Sequence, residues 1–321
     1  MLMDTAQNPL FPAKLLLFGE YSIVIGGQGL TVPYTAYGGS LQFARTNVLN
    51  RSGEIRQSND TLRRFAQYLV SVQQSGKLPA VMDIEQMQTD VQQGLYFDSN
   101  IPHGYGLGSS GALCAAVYYR YALHGVDTVT GSASADTIIR LRSIFAQMEA
   151  FFHGASSGID PLVCYLQQPL HILGENSLHV VNMPETPLQI LHLFLYETGK
   201  PRPANSGLVP LFLKKMENPE FADICRLYLN KYNNNCIQAF LHSDATTLWE
   251  NFRRLSQFQL VHFEPMIPGF MLQQWRRGLN RRQFYLKLCG AGGGGYMLGL
   301  CKNLPETIER LGENGVHELA L

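Results

Sequence analysis

IPHGYGLGSSG at residues 101–111, running straight into ALCAAVYYRYAL at 112–123, is the stretch that decides the reading. Its glycines let the backbone pass close to a ligand and take up positive φ. Ser109 and Ser110 stand where a helix should begin, so their hydroxyls are placed to cap it. The first amides of such a helix point outward with the positive end of its dipole behind them. That makes a loop-to-helix junction a ready anion site, although a plain capped turn is the competing reading of the loop taken alone. The literal G-x-G-x-x-G at 106–111 also invites a dinucleotide reading, with Asp127 at about the ribose-binding distance. A dinucleotide site needs a strand running into the loop, and Pro102-His103-Gly104 stands there instead. Residues 124–133 offer no second strand to carry the acid, so that reading is set aside.

Downstream, residues 134–152 have the pattern of a second helix, with Ser134 or Asp136 as its cap. On a wheel of about 100° per residue, Leu141, Phe145, Met148 and Phe152 share one arc with Ile138, and Glu149 falls on its margin. A carboxylate half facing a core is paired, neutralised or coordinated. Arg142, two turns earlier, is one partner for it; a cation beside bound phosphates is the other. Asp160 follows in a Gly-Ile-Asp-Pro turn, where Asp is common for local hydrogen bonding alone. Gly154-Ala155-Ser156-Ser157-Gly158 matches the G-x-S-x-G elbow of serine hydrolases. An elbow joins a strand to a helix, whereas here a helix precedes the turn and LVCYL after it reads as a strand.

Upstream, LLLF (15–18) and YSIVI (21–25) read as strands punctuated by glycines. Lys14 opens the first and Glu20 ends it, and each alone suits a solvated strand end as well as a site. Residues 60–74 are helical, with Leu62, Phe65, Ala66 and Leu69 on one face. Residues 169–182 and 188–196 look like strands, and a helical region interrupted by prolines follows. FYLKLC, GAGGGG and YMLGLC (284–301) then give strand, tight turn, strand. The glycine run is either a hairpin turn or a place where backbone approaches a ligand. The mixture indicates an α+β chain of two domains, 1–187 and 188–321, divided at the composition shift around Pro184 and Pro187.

Composition narrows the class further. The 321 residues are 45% hydrophobic and 16% charged, with 25 basic and 25 acidic side chains and no net charge. This balance argues against coating nucleic acid or an anionic membrane. The arginines of WRRGLNRRQF (275–284) read as a solvated helix end. No run approaches the ~18 apolar residues of a membrane span, and MLMDTAQNPLFPA lacks the pattern of a secretory leader. A cytoplasmic globular protein with six reduced cysteines and no transition metal is the expectation.

Taken together, three segments resemble the galactokinase–homoserine kinase–mevalonate kinase–phosphomevalonate kinase (GHMP) superfamily. PAKLLLFGEYSIVIGG (12–27) is similar to its P-G-K-x-x-L-F-G-E-H segment. IPHGYGLGSSGAL (101–113) is similar to its P-x-x-x-G-L-G-S-S-A-A phosphate loop. KLCGAGGGGYMLGL (287–300) is similar to K-x-T-G-A-G-G-G-G. EAFFHGASSGID (149–160) looks most like the mevalonate kinase branch, whose pattern is E, three residues, H-G-x-x-S-G-x-D. The fold implied is a ribosomal protein S5 domain 2-like N-terminal domain with a ferredoxin-like C-terminal one.

The activity implied is transfer of a phosphoryl group from ATP, with Mg²⁺, to a small-molecule alcohol. The primary hydroxyl of mevalonate is the expected acceptor; phosphomevalonate, homoserine or a sugar is the alternative, and a non-catalytic sensor a lesser one. The resemblance implies Asp160 as the residue receiving the substrate proton, with Lys14 beside it keeping it ionised. It implies Glu149 and Ser110, or the neighbouring Ser109, as metal ligands. Gly104, Gly106, Leu107, Gly108, Ser109, Ser110, Gly111, Gly292 and Gly293 would hold the nucleotide. Glu20, Tyr21, Gly290, Ala291 and Arg202 would line the acceptor. Family habit points to a homodimer. Tyr21 stands in place of the family's His, Ala204 of a Thr, Cys289 of a Thr, and Gly111 of an Ala. Tyr21 and Ala204 bear on which acceptor is used more than on the reaction.

Overall fold

The computed structural model describes residues 9–44, 52–124, 134–174, 177–184, 190–203 and 207–319. Two compact units emerge. The first takes the described parts of Met1–Lys14, Pro33–Pro102 and Leu107–Gln168; the second takes those of Leu15–Val32, His103–Gly106 and Pro169–Leu321. The chain crosses between them several times. The reason is that β1 (Phe11–Phe18) and β2 (Gly29–Phe43) each give residues to both units.

In the first unit α1 (Ser52–Gln74) and α2 (Ile84–Gln92) lead to β3 (Leu95–Ser99), which pairs antiparallel with Gly39–Phe43 of β2. Helix α1 buries Leu62, Phe65, Ala66 and Leu69, the face given by the periodicity. Then come α3 (Ser109–Tyr121), α4 (Ala135–His153) and α5 (Ile159–Leu166). Ser134 caps α4 by accepting from the Thr137 amide. Tyr118, Phe145 and Tyr165, one ring from each of these three helices, meet with centroids 5.2–5.4 Å apart. LVCYL is thus helical, not a strand. Every residue from Pro161 to Leu166 is buried, so the segment has no polar face from which a period can be read. Gly111 sets the spacing of α3 and α5, because a Cβ there would lie 2.9 Å from both the Asp160 carbonyl carbon and the Pro161 nitrogen.

In the second unit Gly29–Thr31 of β2 pairs with β4 (Leu170–Gly174), and β4 pairs with β5 (Ser177–Val180). YSIVI is not a strand. The chain bends at Tyr21 (φ 61°), makes a 3₁₀ turn at Ile23–Ile25 and reverses again at Gly26 (φ 79°). After β6 (His192–Glu197) come α6 (Leu208–Met216) and α7 (Pro219–Ile224). A π-helical turn, Cys225–Leu229, joins α7 to α8 (Asn230–Leu241), and α9 (Ala245–His262) and α10 (Leu272–Arg281) follow. The hairpin of β7 (Phe284–Leu288) and β8 (Tyr296–Cys301), then α11 (Leu304–Leu311) and β9 (Val316–Glu318), complete it. The sheet order β7-β8-β6-β9, antiparallel throughout, with helices after β6 and β8, is the ferredoxin-like split β-α-β-β-α-β arrangement. Trp275 of α10 is fully buried under this sheet's helices and donates to Ser256 Oγ at 2.8 Å. Arg276, from the arginine-rich stretch, is exposed and pairs with Glu264 at 3.2 Å. Among the described residues no helix is long and apolar enough to cross a membrane.

Candidate active site

In the first unit, strand β1 carries Lys14 into the interior at 6% exposure, and its Nζ lies 3.0 Å from Asp160 Oδ2 in the first turn of α5. Lys14 is therefore not a solvated strand end. Its backbone amide donates to Leu107 O at 2.9 Å, which hangs the end of the glycine loop on β1. Helix α3 then begins directly at Ser109. Its N-cap is Gly108 (φ 73°), which makes no side-chain cap. The serines expected to cap α3 lie inside its first turn, and the Ser110 hydroxyl donates to Glu149 Oε1 at 3.0 Å. The amide end of α3 and the positive end of its dipole sit at the same spot.

Glu149 is 4% exposed on α4, as its place on the margin of the apolar arc suggests. Its carboxylate meets hydroxyls: Ser110 on Oε1 and Ser156 on Oε2. Arg142, the ion-pair candidate from the helical wheel, donates Nε to Ser157 O at 3.0 Å. Burial first, and the charge of Asp160 second, push the Glu149 carboxyl up from its ordinary 4.5 to about 7, with the serine hydroxyls and Lys14 acting against that rise. Ser110 Oγ also lies 3.1 Å from His153 Nε2, one helical turn beyond Glu149. Among the described residues no group of three or more His, Cys, Asp or Glu is arranged to hold a metal by itself. The donors here are a carboxylate and a hydroxyl. That is a hard oxygen set suited to a cation that keeps water or phosphate oxygens as its other ligands.

The second unit gathers the remaining predicted residues. The β7–β8 loop has positive φ at Gly290, Gly292, Gly293, Gly294 and Gly295. Gly293 N donates to Met266 O and Gly295 N to Lys200 O, both at 2.7 Å, and Thr198 Oγ1 donates to Gly295 O at 2.7 Å. The Arg202 amide donates to Gly104 O at 2.9 Å, and a Cβ on Gly106 would lie 3.3 Å from Cys289 O. Glu20 pairs with Lys287 at 2.6 Å with both side chains essentially out of solvent, and its Oε1 takes the Gly290 amide at 3.4 Å. Burial raises the Glu20 carboxyl, and Lys287 is the chief influence against it. Tyr21 is buried against Phe212 and Phe263 and donates its hydroxyl to Ala291 O at 2.6 Å. Ala204 lies outside the described residues.

So Lys14, Leu107, Gly108, Ser109, Ser110, Gly111, Glu149 and Asp160 belong to the first unit. Glu20, Tyr21, Gly104, Gly106, Arg202, Gly290, Ala291, Gly292 and Gly293 belong to the second. Two partners were not singled out from the sequence as site residues. Lys287 sits inside an apolar strand, where a charge signals a buried partner. Ser156 lies in the turn beyond the C-terminal end of α4, and its contact with Glu149 is visible only once that turn is seen to fold back on the helix.

Residues 49–168 match the family described as GHMP kinases N terminal domain. A mevalonate kinase of Dictyostelium discoideum is 23% identical over 237 residues, which are 66% of this chain and 58% of that protein. The crystal structure of Lactococcus lactis galactokinase complexed with galactose is similar with a TM-score of 0.64, at 15% identity, over 98% of this chain and 93% of that one. The L. major mevalonate kinase in complex with R-mevalonate gives 0.60 at 14% identity, over 98% and 95%. Residues 49–168 thus match that family's N-terminal domain, and the chain shares the two-domain α+β fold of the solved mevalonate kinase and galactokinase along its length.

Proposed function

We propose that this chain is an ATP- and Mg²⁺-dependent kinase that phosphorylates the primary hydroxyl of mevalonate. The observation that carries the reading is the Lys14–Asp160 pair next to a hydroxyl-held Glu149, at the mouth of a glycine-loop helix. Phosphoryl transfer needs positioning and charge neutralisation more than covalent chemistry. The loop at 106–111 and the first turn of α3 receive the phosphate oxygens through their amides. Glu149 and Ser110 would hold the cation, and the raised carboxyl of Glu149 marks a buried charge answered within the chain mainly by dipoles. When bound with nucleotide, Mg²⁺ supplies neutralisation of phosphate charge. Asp160 accepts the acceptor's hydroxyl proton as the new O–P bond forms and the bond between the γ-phosphorus and its bridging oxygen breaks, with ADP as the leaving group. The Lys14 ammonium fixes the direction of the Asp160 carboxylate.

The experiment is ADP release from ATP with Mg²⁺, run in parallel on mevalonate, phosphomevalonate, homoserine and galactose. Turnover confined to mevalonate supports the proposal, and turnover confined to another acceptor reassigns the pocket while keeping the kinase. Asp160→Asn is expected to lower kcat by about 10²–10⁴-fold, the usual worth of a positioned proton acceptor. Nucleotide binding should persist, and unchanged turnover would remove Asp160 from the mechanism.

A further inference from the structure

Ser156 has no part in the mechanism above, and its place in a G-x-S-x-G sequence suggests a nucleophile. Its surroundings suggest a different task. The Gly158 amide donates to Ser156 Oγ at 3.0 Å, so the hydroxyl's acceptor side is taken and its proton is directed to Glu149 Oε2. The turn that carries it is tied to the helix bearing Glu149. Arg142 Nε holds Ser157 O at 3.0 Å. Gly158 (φ 71°) is pressed so closely on α4 that a Cβ would collide with Arg142 O and lie 2.7 Å from Ala146 N. Ser156 and Glu149 are thus fixed to one another through two turns of a single helix.

We propose that Ser156 is a positioning residue for the metal ligand Glu149. By occupying Oε2 it keeps Oε1 turned to Ser110, so that carboxylate and hydroxyl present their oxygens together to one divalent cation. The inference rests on the kinase reading only for the statement that Glu149 binds a cation.

The test is Mn²⁺ binding in the presence of ADP, followed by the EPR signal of free Mn²⁺, on the wild type, Ser156→Ala, Ser156→Thr and Glu149→Gln. Loss of a group that orients a metal ligand typically weakens affinity by about 10–100-fold, and Ser156→Ala should fall in that range. Ser156→Thr, which keeps the hydroxyl, should bind much nearer to the wild type. Should Ser156→Ala not fold, Ser156→Cys, with similar volume and a weak donor, carries the same expectation. Wild-type Mn²⁺ affinity in the hydroxyl-less variants, with affinity lost in Glu149→Gln, would overturn the role of Ser156 and leave the cation site standing. Wild-type affinity in Glu149→Gln as well would overturn the cation site itself. Covalent labelling of Ser156 by a fluorophosphonate would overturn the positioning role in favour of a nucleophile.

Discussion

Among the described residues two glutamates are buried, one in each unit, and their surroundings differ in kind. Glu20 has a lysine ammonium at 2.6 Å; that ammonium also donates to Leu288 O at 2.8 Å and stands 5.9 Å from the centre of the Phe18 ring. Glu149 has two serine hydroxyls, and its carboxyl is pushed up to about 7. A buried charge paired with an opposite charge is complete, whereas one held by dipoles alone still favours a cation from outside. Lys14 does not close the account for Glu149, because its ammonium is engaged with Asp160. Glu20 and Lys287 therefore form a strut beside the glycine loop, whereas the surroundings of Glu149 fit the ligand role proposed for it.

The largest effect should come from breaking the strut on one side. Lys287→Met leaves the Glu20 carboxylate buried and unanswered, which typically costs about 3–5 kcal/mol. The double variant Glu20→Leu, Lys287→Met should recover most of that loss, because replacing both members of a buried pair with apolar groups is close to neutral. Urea unfolding of the two variants measures the difference. Equal losses in both would mean that Lys287 matters through packing rather than charge.

The same comparison predicts an opposite, pH-dependent result for Glu149. Its carboxyl rises from 4.5 to about 7 on folding. Burial of the protonated form therefore favours the native state below about pH 4.5, and that contribution is lost as pH rises through 7. Glutamine does not titrate. In the absence of divalent cations, Glu149→Gln should gain stability relative to the wild type between pH 5 and pH 8, by roughly 3 kcal/mol at the upper end. Adding Mg²⁺ with ADP at pH 8 should return the advantage to the wild type. A difference independent of pH would show that Glu149 is already compensated within the chain.

How far the sequence revealed these two carboxylates depended on the distance over which each partner acts. The margin position of Glu149 follows from helical periodicity, and the glycine loop with its following helix follows from local chemistry. The hairpin at 284–301 was equally plain, since two apolar strands flank a run that only a turn accommodates. Glu20 read as a strand end because its partner lies at the other end of the chain, and no local pattern records such a pairing. YSIVI misled for a related reason. Its β-branched residues favour a strand, but the reversals at Tyr21 and Gly26 override that preference. Helices α2 and α5 escaped notice because one is short and the other is apolar on every side.

The smallest effect sharpens the reading of the Glu20 region as a support. Tyr21 stands beside Glu20, and its hydroxyl donates to the Ala291 carbonyl at 2.6 Å. Burial raises its phenol, so it acts as a neutral donor. Tyr21→Phe keeps the ring packed on Phe212 and Phe263 and removes a single hydrogen bond, a change worth about 1 kcal/mol. If Tyr21 only braces the glycine loop, urea unfolding should show that loss while the Michaelis constant for the acceptor stays within about twofold. A rise in that constant of tenfold or more, with stability unchanged, would move Tyr21 from the loop's support to the acceptor's pocket.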